Sequence, residues 1–160
     1  MPSRGAFLAL ASVAAVLAVV TMVGIPFWTQ APAHALRPGD AKLVALGEKI
    51  YQTHCAACHG AKLEGQPNWR ERGPDGALPA PPHDASGHTW HHTDEVLFRI
   101  TKQGLVKLTG MKNYVSAMPV YEGVLSDEEI VAVLSWIKSQ WSPQMRERHD
   151  ELNAQHLKSK

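Results

Sequence analysis

The pentapeptide Cys55-Ala56-Ala57-Cys58-His59 constrains this chain more than any other feature, because it contains both cysteines of the 160 residues. Two thiols allow at most one disulfide, which excludes a disulfide-stapled mini-protein. A bridge between Cys55 and Cys58 would close too small a ring to stabilise much. A dithiol of the thioredoxin kind needs βαβ patterning around it, whereas this motif lies between helical periodicity and a proline-rich stretch. A zinc site can be written from Cys55, Cys58, His88 and His92, but 29 residues separate the two pairs, about twice the usual finger spacing. The motif favours covalent haem attachment over these three. Thiols two residues apart can each add across a vinyl group of haem, and a histidine directly after the second can ligate the iron from one face.

The N-terminus supports that chemistry. Arg4 is the only charged side chain in the first 36 residues, and Ala6 to Trp28 runs 23 residues without a charge, enough helix to cross roughly 30 Å of hydrocarbon. Residues 1–35 are therefore expected to form an export signal or membrane anchor, including a hydrophobic helix. Ala31-Pro32-Ala33-His34-Ala35 offers cleavage sites after Ala33 or Ala35, while the length of the apolar run favours a retained anchor over residues 6–28. Arg4 on the short side places everything after residue 35 outside the cytoplasm. The expected location is the periplasmic side of a bacterial inner membrane, or the soluble periplasm if the segment is cut near Ala35. In that compartment a CxxC without haem would tend to oxidise. Beyond Arg4 the charges balance at 15 basic against 15 acidic, so no one-signed field gathers nucleic acid or anionic lipid.

Three helices are expected in the remainder. Leu43, Val44, Leu46, Ile50 and Tyr51 recur at helical spacing after an Asp40 N-cap. Thr93 can cap a second helix, with Asp94 and Glu95 in its first turn and Gly104 as its stop. Ser126 and Glu129 form a capping box for the third, along which Ile130, Val133, Leu134, Ile137 and Trp141 mark a buried stripe. Between Gly60 and His92 five prolines and five glycines break every period. So long a loop is uncommon unless it wraps a bound group. Beyond Pro143 the mostly polar run reads as a solvated helix or frayed tail. The division is 1–35 signal or anchor, 36–142 functional domain and 143–160 charged tail.

From Asp40 to Trp141 the sequence resembles the class I c-type cytochromes, small monohaem electron carriers. In that family a helix carrying a glycine and an aromatic precedes CxxCH and crosses a C-terminal helix that brings an aromatic to the contact. Gly47, Tyr51 and Trp136 match these positions. The resemblance implies an all-α, cytochrome c-like fold in which three main helices wrap one covalent haem c. It also implies His59 as the iron's first axial ligand and a methionine before the last helix as the second. Met118 fits, since Pro119 restrains it to an extended backbone that can aim the thioether. Met111, between Gly110 and Lys112, is its competitor. The family's loop carbonyl that accepts the His59 Nδ1 proton would belong to Pro81 or Pro82. By the same resemblance Trp90 would donate its indole N–H to a haem propionate, a core tryptophan being the other reading.

The implied function is one-electron transfer between redox protein partners, with both axial positions filled and therefore no place for substrate. One feature departs from a simple carrier: His83, His88, His91 and His92 fall within ten residues. They are either a solvated loop or, with His88, His91 and His92 as a secondary metal site, the core of a copper-handling or redox-sensing protein. Lys102, Lys107 and Lys112 either ring a haem edge and steer an acidic partner or are ordinary solvated charges.

Overall fold

The computed structural model describes residues 32–160, so the expected N-terminal helix and signal or anchor (1–35) lie almost wholly outside the described residues. Among the described residues no helix is long and apolar enough to cross a membrane. Five helices follow one another: α1 (Ala41–His54), the single turn α2 (Ala56–His59), α3 (Asp94–Thr109), α4 (Asp127–Ser139) and α5 (Pro143–Lys158), with a 3₁₀ turn at Thr89–His91. The described residues contain no strand, only an isolated bridge between Glu122 and Leu125.

Each main helix starts where its side chains can satisfy orphan N–H groups. Asp40 accepts from the Lys42 and Leu43 N–H groups. The capping box at α4 is complete, with Ser126 Oγ accepting from Glu129 N–H and Glu129 Oε2 accepting from Ser126 N–H at 2.8 Å. The buried face of α1, Leu43, Gly47, Ile50 and Tyr51, packs along α4. At the crossing a Cβ on Gly47 would stand 2.0 Å from the Ala132 carbonyl oxygen and 2.8 Å from Trp136 Cβ. Only a residue without a side chain admits this approach, and the rings of Tyr51 and Trp136 meet beside it with centroids 4.5 Å apart.

α3 does not stop at Gly104. The glycine takes φ 79°, ψ 159°, a break that a side chain would strain, and the helix then resumes to Thr109 and ends at left-handed Gly110. The charged C-terminal run is also more than a solvated helix or frayed tail. α5 starts at Pro143 behind a Ser142 cap and docks through His149, whose side chain is fully buried. His149 Nε2–H donates to the His92 carbonyl at 2.8 Å, and Asn153 Oδ1 accepts from Asp94 N–H at 2.8 Å. The nearly buried Lys138 pairs with Asp150 at 2.5 Å.

Two predictions follow from this packing. Gly47→Ala should destabilise the fold by about 1–3 kcal/mol, the usual cost of overpacking. Gly39→Ala, where an added Cβ meets nothing within 4 Å, should be near neutral, and denaturant unfolding of the two variants reads the difference.

Burial first, and the Lys138 cation second, hold the His149 pKa below its ordinary 6.5, against the opposing pull of Asp94 and Asp150. The unfolded chain therefore takes up a proton that the folded chain refuses. The stability this contributes is complete above pH 6.5 and is lost as pH falls through the lower folded value. Between those limits wild-type unfolding free energy should fall more steeply with acid than that of His149→Gln.

Candidate functional site

α1 ends at Cys55, and α2 carries the rest of the motif in one turn closed by Gly60. Neither thiol is bridged. Cys55 is half-buried and Cys58 exposed, and burial with the neighbouring Cys58 pushes the Cys55 thiol up to about 11. His59 is buried, and its Nδ1 lies 2.8 Å from the Pro81 carbonyl oxygen. A carbonyl only accepts, so Nδ1 carries the proton. Burial pushes the His59 pKa down against that hydrogen bond. The ring is then neutral and presents its lone pair at Nε2, the form in which imidazole binds a metal.

Of the two loop prolines, Pro81 supplies the carbonyl to His59. The Pro82 carbonyl instead accepts from Thr89 Oγ1 at 3.4 Å, and a Cβ on Gly87 would stand 2.0 Å from its oxygen. The loop is fastened at several points: Gln66 N–H donates to Ala80 O, His83 N–H to Leu63 O, and Trp141 Nε1–H to His83 O.

The segment before α4 is tied to the motif by Tyr121, whose hydroxyl donates to the His54 carbonyl at 2.7 Å. Three residues earlier Met118 is partly buried against the core, whereas Met111 is 48% exposed. Five of the seven large apolar side chains that are exposed among the described residues, Val106, Met111, Val115, Val120 and Val124, lie in this same stretch. Trp90 is partly buried beside His91 and Arg148, and its indole N–H is buried without a partner among the described residues. Two unbridged thiols and, directly after them, a neutral imidazole with its Nε2 lone pair unprotonated are the donor set that a covalently tethered haem needs.

The histidine-rich run does not converge. His83 stacks on His59, His88 on Trp69 at 5.2 Å and His91 on Trp90 at 3.7 Å, while His92 meets the edge of His88. Among the described residues no group of three or more His, Cys, Asp or Glu side chains is placed to hold a metal ion. Lys102 and Lys107 each pair with a carboxylate, Asp127 at 2.5 Å and Glu122 at 3.2 Å, so two of the three lysines are locally neutralised. Sequence reasoning missed Tyr121 and the placement of His83. The first has a faint signal in its position three residues after Met118, and the second has none.

Removing the Tyr121 hydroxyl leaves the His54 carbonyl without that donor. Tyr121→Phe should cost about 1 kcal/mol of stability, the net value of such a bond, as measured by equilibrium unfolding.

A family model described as Cytochrome c matches residues 44–141, more than half of the chain. Beside it, no curated protein and no solved structure gives a match.

Proposed function

The chain belongs to the cytochrome c family, whose members bind covalent haem c with iron, and on that premise we propose that it is an exported, monohaem, class I electron carrier with His59 and Met118 as axial ligands. The observation that carries this reading is the pairing of two unbridged cysteines with a buried, neutral His59 whose Nδ1 proton is committed to Pro81. Cys55 and Cys58 form the thioether links, and His59 Nε2 and the Met118 sulfur bind the iron. When bound, the haem supplies a reversible ferric–ferrous couple, whose potential a soft thioether ligand raises.

The protein's own contribution is to orient and to exclude water. Pro81 holds the His59 tautomer, Pro119 keeps Met118 extended, and the exposed apolar side chains of Val106, Val115 and Val120 would offer a haem apolar cover. Trp90 supports the assignment of a propionate partner, because its buried indole N–H has no acceptor among the described residues. Both axial positions being filled, the role is electron transfer between redox proteins and not catalysis. Residues 1–35 direct the domain to the periplasmic side of a bacterial inner membrane, as anchor or as cleaved signal. Domain limits of 36–142 with a C-terminal segment 143–160 complete this reading.

The test is intact mass and absorption of the protein as isolated. A mass one haem above the polypeptide, with a sharp three-band reduced spectrum, is expected, and the same measurement reports the N-terminus. Met118→Ala should lower the midpoint potential and admit carbon monoxide to the reduced protein. Ready carbon monoxide binding by the wild type would overturn the His59/Met118 assignment, and two free thiols in the isolated protein would overturn the whole reading.

A further inference from the structure

We propose that His83 is a positioning residue for His59: its ring lies flat against the ligand imidazole and fixes the plane in which that imidazole stands. The inference deepens the haem reading above and rests on it.

The hydrogen bond to Pro81 does not by itself fix that plane. The ring torsion of a histidine is broad, and hydrogen bonds to a carbonyl oxygen tolerate a wide spread of directions. A second, flat contact removes the remaining swing. The centroids of His59 and His83 are 4.1 Å apart with 22° between the planes. His83 also makes an edge-to-face contact with Tyr51, at 6.4 Å and 71°, and Tyr51 in turn packs on Trp136 at the α1–α4 crossing. The imidazole is thus referred, ring by ring, to the most tightly packed point of the fold.

His83 is itself held from both ends. Its Nδ1 is 2.8 Å from Thr89 Oγ1. That hydroxyl gives its own proton to the Pro82 carbonyl, so it accepts from His83 Nδ1–H, which sets the ring's rotation and tautomer. The backbone N–H donates to the Leu63 carbonyl at 2.8 Å, and the His83 carbonyl accepts the Trp141 indole N–H at 2.8 Å. Leu63 is buried yet takes a left-handed φ of 69°, a conformation that costs of order 1 kcal/mol or more and persists only where the surroundings enforce it. The carbonyl so presented accepts from both His83 and Asp84 N–H groups. Gly87 closes the turn from the other side by letting the chain ride against the Pro82 carbonyl. This is far more fastening than a solvated loop histidine requires.

The test compares wild type, His83→Phe and His83→Leu as holoproteins, by ferric proton NMR and by midpoint potential. Leucine fills the space without a flat face and phenylalanine restores one. The expected result is a single sharp set of hyperfine-shifted resonances in wild type and His83→Phe, and a broadened or doubled set with a shifted potential in His83→Leu. If His83→Leu alters thermal unfolding but keeps the wild-type resonances and potential, or if the two variants depart alike, the stacking role is overturned. Wild-type protein with no covalent haem overturns the haem reading itself, and this inference with it.

Discussion

One hydrogen bond, from His59 Nδ1–H to the Pro81 carbonyl, joins two parts of the chain that local sequence does not connect. On one side is a motif borne at the end of a helix; on the other is a proline loop with no regular structure of its own. The bond decides which imidazole nitrogen keeps its lone pair, and burial keeps that ring neutral. Most of the remaining architecture positions one end of it. α1 is located by α4 through the contact at Gly47, and the loop by Leu63, Gln66 and Trp141. A carbonyl is well suited to this task, because it has no side chain to choose another rotamer and no charge to lose.

What was legible in the sequence divides along physical lines. The start of α4 was legible because a capping box is a local signal, and the motif because its spacing is covalent chemistry, but α4 is buried at every residue from Ile130 to Lys138 and not along a stripe, and Trp141, counted in that stripe, lies past its end at Ser139. The start of α3 was legible from Thr93, but its end was not: Gly104 looks like a stop, and the helix resumes because Leu105 and Leu108 are again partly buried. The docking of α5 rests on one buried residue, His149, among charged neighbours, so no amphipathic period announced it. Which of Pro81 and Pro82 turns its carbonyl to His59 depends on backbone dihedrals that the residue names do not specify. The histidine-rich run left two readings open for a related reason. Density in sequence was compatible with a solvated loop or a common site, whereas folding distributes the rings over His59, Trp69, Trp90 and one another.

The C-terminal helix gives the loop a second support. His149 bonds the His92 carbonyl and Asn153 bonds the Asp94 N–H, so the end of the loop and the first turn of α3 are held by the last sixteen residues of ordered helix. The pair between Lys138 and Asp150 joins the same helix to α4. With one partner nearly buried, its worth is mainly that it leaves no ammonium unpaired in the interior. The family match ends at residue 141, so this buttress is an addition to the matched region and not a part of it.

The break at Gly104 has a consequence for how the molecule opens. Everything from Leu105 to Val124 hangs on a short resumed helix, the Lys102–Glu122 and Thr101–Tyr121 backbone bonds and the Tyr121 hydroxyl, while α1 and α4 share a continuous interior. Cooperative units with few buried apolar contacts exchange their amides at lower free energy than the global transition. Between Leu105 and Val124 only Tyr121 is buried, so by that measure the stretch bearing Met118 should exchange its amides ahead of α1 and α4.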